Sequence, residues 1–231
     1  MIKTKPKISG NLHVRLERSI GERILGGEFA PGSLLPNEAE WGKLFGASRT
    51  AVREALKTLT AKGLIISRPK VGSRVQPRTR WNILDRDVLD WHHAAIDKRA
   101  FMLSIQEVRR LVEPGVAALA AKKRSPQQLT RLVTALAGMT TAKSVQDVVS
   151  ADVEFHEALM AAANNELLVP FGIIIEKALG TLFDFTTQRN PRYTQAVKLH
   201  EKILRAVVSS DTEAARKAML GLLDNTDELI G

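Results

Sequence analysis

The amino-acid sequence predicts a mainly α protein in two parts: three helices plus a β-hairpin at the N-terminus, then an all-α antiparallel helical bundle of six or seven helices. Three observations carry this. Gly and Pro cluster in the first third, at Gly26-Gly27, Pro31-Gly32, Pro36, Pro69, Gly72 and Pro77, and thin out afterwards. Beyond Pro77, apolar residues recur at helical spacing and no segment alternates with period two for long. The charge is also uneven. In a chain of 231 residues with net charge +9, residues 1–80 hold 16 Lys/Arg against 6 Asp/Glu, a net of +10, and residues 81–231 hold 18 against 19.

Each element has its own local reason. Leu12, Leu16, Ile20, Ile24 and Leu25 define a first helix that stops at Gly26-Gly27. Phe29 to Ser33 is a turn, and Pro36-Asn37-Glu38 starts a second helix with Asn37 as its cap. Gly46-Ala47-Ser48 is a tight turn. A third helix runs from about Arg49 to Lys62, with Val52, Leu56 and Leu59 inward, and stops at Gly63. Leu64 to Ser67 and Arg74-Val75 read as two short strands around Pro69 to Ser73. Three helices and a hairpin outline a winged helix-turn-helix. Gln76 to Arg80 reads as a polar linker. The expected divisions are 1–79 for this head, 80–97 for a linker and linker helix, and 98–231 for the helical body. Helical segments are expected to begin near Asp85, Ala100, Ser125, Ser144, Asn165, Pro191 and Asp211, with a capping box at Ser125 to Gln128. Pro114 should kink its helix.

Composition excludes several chemistries. With no Cys there are no disulfides, thiolate metal sites or Cys nucleophiles, and a reducing, cytoplasmic setting is expected. Met1 to Lys7 carries charge with no apolar stretch behind it, so no secretory signal is expected. The longest apolar run, Leu167 to Ile175, is broken by Pro170 and Gly172 and is too short to span a bilayer. A basic head on a near-neutral body points to a polyanion partner. A membrane surface would attract the same head, so charge alone does not decide.

The third helix does discriminate. Arg49, Arg53 and Lys57 lie at i, i+4 and i+8 along one stripe, opposite its apolar face. Such a helix suits the DNA major groove, where Arg offers two parallel donors to guanine O6 and N7. Ser48 and Thr50 at its N-terminus can bind phosphate oxygens. Lys70, Gly72 and Arg74 occupy the hairpin tip, where Gly lets the backbone come close to a groove. A charge stripe alone is more often only a solvated face; here the helix-turn-helix outline, the basic hairpin and the charged head agree.

The residues Gly27-x-Phe29-x-Pro31-Gly32-x-x-Leu35-Pro36-x-Glu38, Ser48-Arg49-x-x-Val52-Arg53-Glu54-Ala55-Leu56 and Leu59-x-x-x-Gly63-Leu64-Ile65 resemble the GntR family of bacterial transcription regulators. The resemblance implies DNA contacts at Ser48, Arg49, Thr50 and Arg53 and a wing-tip glycine at Gly72. Ala39 departs from it, since relatives often carry a DNA-contacting Arg there.

In the body, Asp152 and His156 stand four apart on one helix face, and His200 lies on another expected helix. One carboxylate and two imidazoles suit Zn²⁺ or another divalent first-row ion. An Asp–His hydrogen bond and a core histidine explain the same residues, and spacing alone favours that simpler account. The body also resembles the FCD effector domain of FadR-type regulators, through Glu107-x-Arg109-x-x-x-Glu113-Pro114, Asp152-x-x-Phe155-His156-x-x-Leu159, Asn165 and His200-x-x-Ile203-x-x-Ala206-Val207. Many such domains bind a metal through one Asp and three His. Asp152, His156 and His200 match three of those positions and Leu222 falls at the fourth, leaving at most three protein ligands. The resemblance puts Arg109 in the effector pocket as a carboxylate clamp; an i,i+4 salt bridge with Glu113 is the alternative. Tyr193, Gln188 and Thr186 are candidate polar pocket groups. Trp81 to Trp91, together with Arg109 to Pro114, resembles regulators of D-galactonate and related sugar-acid operons, with Trp81 and Trp91 expected to hold the linker helix on the body.

The expected function is therefore a homodimeric DNA-binding transcription regulator, a repressor that leaves its palindromic operator on binding a small carboxylate such as an aldonate. Neither enzymatic activity nor a membrane partner is expected. A metal-dependent hydrolase would need a general base, and only Glu154 and Glu157 lie near. An architectural DNA-binding protein without effector leaves a body of about 150 residues unexplained.

Overall fold

A first helix, α1 (Leu12–Leu25), buries Leu16, Ile20, Ile24 and Leu25, the same residues whose spacing predicts it. The second, α2 (Glu38–Phe45), is capped by Asn37, whose side chain accepts from the Ala39 and Glu40 N–H groups while Glu40 reaches back to the Asn37 N–H. It ends on Gly46 in the left-handed conformation, which turns the chain into α3 (Arg49–Ala61). Ser48 caps α3 by accepting from the Ala51 N–H, and Val52, Ala55, Leu56 and Leu59 face inward. Strands β1 (Ile65–Arg68) and β2 (Gly72–Val75) pair antiparallel in the register Ile65 to Val75 and Arg68 to Gly72. Leu34 adds an isolated bridge to Arg74. The winged helix-turn-helix outline is present. The computed structural model describes residues 12–186 and 193–230, and the chain divides into two compact units, Met1–Ile96 and Asp97–Gly231.

One expectation is corrected. Trp81 and Trp91, expected to hold the linker helix on the body, belong to the core of the first unit, with Leu16, Ile20, Trp41 and Leu64. The fourth helix, α4 (Arg86–Ala95), lies against α1, with Trp91 so close to Gly21 that a Cβ there would stand 2.3 Å from the indole. Lys62, at the end of α3, is buried and reaches Asp85 at 2.8 Å and Asp87 at 2.7 Å. Asp85 is also the α4 cap. Apolar side chains announce burial but not the surface that buries them, and here a small residue on α1 made the room.

The second unit holds six α-helices among the described residues: α5 (Lys98–Lys123), α6 (Pro126–Thr141), α7 (Val145–Ala162), α8 (Gly172–Thr186), α9 (Tyr193–Val208) and α10 (Thr212–Ile230). The expected starts at Ser125, Ser144 and Asp211 are real caps: the first two form capping boxes, and Asp211 accepts from the Ala214 N–H. Asn165 opens a short 3₁₀ stretch, Glu166–Phe171, instead of α8 itself, and Asn164 takes a left-handed φ of 47°. The helix α5 continues through Pro114. It packs against α10, α7, α8 and α9, while α6 packs against α7. Phe155, Leu159, Leu132, Ile203, Met219 and Leu223 form the centre of the core. Among the described residues no helix is long and apolar enough to cross a membrane.

Candidate nucleic-acid interface and candidate metal centre

In the first unit α3 has two chemically opposite faces. Its apolar side is sealed in the core, and Ser48, Arg49, Thr50, Arg53 and Lys57 all lie exposed. Lys70 and Gly72 of the hairpin share a groove of about 570 Å³ with Arg53 and Lys57, also lined by Glu38 and Arg68. The hairpin tip bends through left-handed values at Lys70 and Gly72, φ 63° and 96°. Arg74 is exposed on β2 and donates from Nη1 to the Gly32 carbonyl at 2.9 Å.

The charges on this face are not equivalent. Arg53 donates to both carboxylate oxygens of Glu38, and Lys57 to Glu54 at 2.8 Å. Among the described residues Arg49 and Lys70 form no such pair. Ser48 already accepts from the Ala51 N–H, and its hydroxyl hydrogen stays available to donate to an acceptor such as a phosphate oxygen. Glu38 was not apparent as a partner of Arg53 from sequence, because only the turn between α2 and α3 brings the two together.

In the second unit α7 and α9 bring Asp152, His156 and His200 to one point. Asp152 Oδ1 lies 3.1 Å from His200 Nε2 and 3.4 Å from His156 Nε2, and the two Nε2 atoms are 3.4 Å apart. Both histidines are buried, and Phe155 stands edge-on to each ring. The far side of each ring faces an acceptor oxygen. His200 Nδ1 donates to the Ala196 carbonyl at 2.8 Å, and His156 Nδ1 lies 3.0 Å from Glu113 Oε2. A carbonyl can only accept, so His200 Nδ1 carries a proton and Nε2 is the ring atom turned toward Asp152.

This donor set fits a divalent cation. Tetrahedral bonds of roughly 2.1 Å separate ligand atoms by about 3.4 Å, close to the spacings here. Asp152 Oδ1 is buried and has no hydrogen bond among the described residues. Carboxylate and carbonyl partners on the outer ring nitrogens are the usual way imidazole ligands are oriented. Leu222, at the position where the resemblance implies a fourth ligand, is a core residue with no donor atom.

Glu113 links the cluster to α5. Arg109 Nε donates to Glu113 Oε1 at 2.6 Å, and the Arg109 Nη1 lies 3.4 Å from Gln106 Oε1. Gln106 in turn donates to the Leu223 carbonyl on α10. The i,i+4 salt bridge is thus present, buried on both sides. Burial pushes the Glu113 carboxyl up, but the Arg109 guanidinium and His156 outweigh it and bring the group down to about 2. Burial pushes His156 down, yet Glu113 and Asp152 raise it to about 9. Asp152 is held well below the usual carboxylate range: burial opposes this, and the two histidines prevail. Of the remaining candidates, Gln188 lies outside the described residues, as do the side chains of Tyr193 and Thr186.

Residues 12–75 match the family described as "Bacterial regulatory proteins, gntR family", and residues 104–225 match the FCD domain. The chain is 36% identical over 227 residues to the Escherichia coli protein named uncharacterized HTH-type transcriptional regulator YieP, covering 94% of this chain and 95% of that one. It is 32% identical over 211 residues to the galactonate operon transcriptional repressor of Escherichia coli, covering 90% and 92%. Among solved structures, Streptococcus agalactiae GntR is similar in fold, with a TM-score of 0.54 at 22% identity, covering 94% and 99%.

Proposed function

This chain belongs to the GntR family of bacterial regulatory proteins and carries an FCD domain, and from that premise we propose a dimeric repressor whose grip on its operator is set by a small carboxylate. It is a DNA-binding transcriptional regulator and not an enzyme. In our reading α3 enters the major groove, Arg53 reads bases, Ser48, Arg49 and Thr50 meet phosphates, and Lys70, Gly72 and Arg74 line the flanking groove. Two heads related by the dimer axis read the halves of a palindrome.

The observation that carries the sensing half is the convergence of Asp152 Oδ1 and two imidazole Nε2 atoms inside the helical unit. Three protein ligands would hold a divalent ion such as Zn²⁺ and leave positions for ligand oxygens, so the ion would supply a Lewis acid at the site. An aldonate offers a carboxylate with an adjacent hydroxyl, two oxygens suited to one metal. Arg109 uses Nε on Glu113 and one Nη1 hydrogen on Gln106, and its other N–H groups are proposed to meet the effector carboxylate. The likeness to a galactonate operon repressor supports the sugar-acid class. For ligand to change DNA affinity, it must bind one arrangement of the dimer better than the other.

A gel shift on the gene's own upstream region tests this, run with Zn²⁺ and a panel of sugar acids. The expected result is a specific shift released by one acid, with release lost in His156→Ala. No specific shift would overturn the operator reading; a shift that no acid releases would overturn the effector class.

A further inference from the structure

Glu38 is an acidic residue in the groove that the preceding reading gives to DNA, among Arg53, Lys57, Arg68 and Lys70. A carboxylate facing phosphates opposes binding, so its place there needs a reason. Its position is well determined: it is the first residue of α2, directly after the Asn37 cap. From there its oxygens accept from Arg53, Nε to Oε1 at 3.2 Å and Nη2 to Oε2 at 3.1 Å. The Arg53 side chain is still 62% exposed.

The edge of the guanidinium in use matters. Nε and Nη2 form its side-on edge. The end-on edge, with one N–H from each of Nη1 and Nη2, has no acceptor among the described residues. That edge presents two parallel donors, the pattern guanine O6 and N7 accept together. The carboxylate also offsets the Arg53 charge, which weakens its attraction to phosphate and leaves directional hydrogen bonding to bases. Arg49 and Lys70, without such partners, keep full charge for the backbone.

We propose that Glu38 is a specificity-determining positioning residue: it clamps Arg53 side-on so that the end-on edge reads a guanine in each operator half-site. This rests on the reading of α3 as the recognition helix.

The experiment is selection of binding sites from a randomised DNA duplex library by the full chain, its Glu38→Gln, Glu38→Asp and Arg53→Ala forms, each with a thermal melt. The wild type is expected to enrich guanine at one position per half-site, and Arg53→Ala to lose that preference. Glu38→Gln should weaken it about tenfold at the same position, a loss of one good bidentate contact. It should leave other positions unchanged and bind unselected duplex at least as tightly, because a negative charge has gone. Glu38→Asp, which keeps the charge with a shorter reach, should fall between, and carries the test if Glu38→Gln melts early. An unchanged guanine preference in Glu38→Gln overturns the proposal, and so does an equal loss at all positions, which marks a merely structural role. Enrichment of no sequence by the wild type overturns the recognition-helix reading, and this proposal with it.

Discussion

At the scale of single residues, Glu113 carries two duties at once. One oxygen balances Arg109 and the other faces His156, all three buried. Removing one partner of a buried pair leaves an uncompensated charge, which costs about 3–5 kcal/mol. Glu113→Gln should therefore lower the denaturant-unfolding free energy by about 3 kcal/mol. Arg109→Met with Glu113→Gln should cost clearly less than the two single changes added, because neither member of the Arg109–Glu113 pair is left without the other; a cycle that closes additively would remove this account. If Asp152, His156 and His200 hold Zn²⁺ as proposed, the same Glu113→Gln change should weaken that binding about tenfold or more in a chelator competition, since the outer partner of the His156 imidazole is gone. Gly63 is a second sensitive position. Its φ is +75°, and a Cβ there would meet the Arg80 carbonyl oxygen at 2.2 Å. Gly63→Ala should cost more than about 1 kcal/mol, read as a lower denaturant midpoint with an unchanged slope.

At the scale of elements, α3 buries one face and is proposed to offer the other to DNA, and Ser48 separates the roles. Its hydroxyl caps the helix by accepting from the Ala51 N–H. Ser48→Ala should cost about 1 kcal/mol of stability, as loss of a cap does. Ser48→Asp keeps a capping acceptor but sets a negative charge at the end proposed to face phosphates. It should hold the melting temperature near wild type and abolish the gel shift. Retained DNA binding in a folded Ser48→Asp protein would exclude α3's N-terminus from the interface. The α4 helix shows how an element is recruited by its neighbours: Trp91 lies over Gly21, and Lys62 ties Asp85 and Asp87 to the end of α3. Its own apolar stripe is indifferent between a head and a body to pack against.

At the scale of the whole molecule, residues 1–80 hold the excess positive charge, a net of +10, so duplex binding should weaken steeply with salt. Lys70→Ala should lower the slope of log K against log[salt] by about 1 and weaken all sequences alike, measured by titration at several salt concentrations. A change confined to one sequence would instead make Lys70 a base reader. Helix starts at Ser125, Ser144 and Asp211, the two faces of α3 and the hairpin were legible in the sequence, because caps, helical period and turn residues act over a few positions. The types of residue in the candidate metal centre were legible too. Their meeting was not, since His156 and His200 are 44 residues apart. Nor was the Glu38–Arg53 fork, 15 residues apart across a turn. Local periodicity and composition by themselves determined which segments are helical, which faces are buried and which part is basic. Only the tertiary structure decided that Trp81 and Trp91 pack in the first unit, that Glu113 faces His156, and that Glu38 holds Arg53. Short-range sterics and hydrogen bonds depend on neighbours in the chain, whereas these partnerships depend on distant side chains being folded into reach.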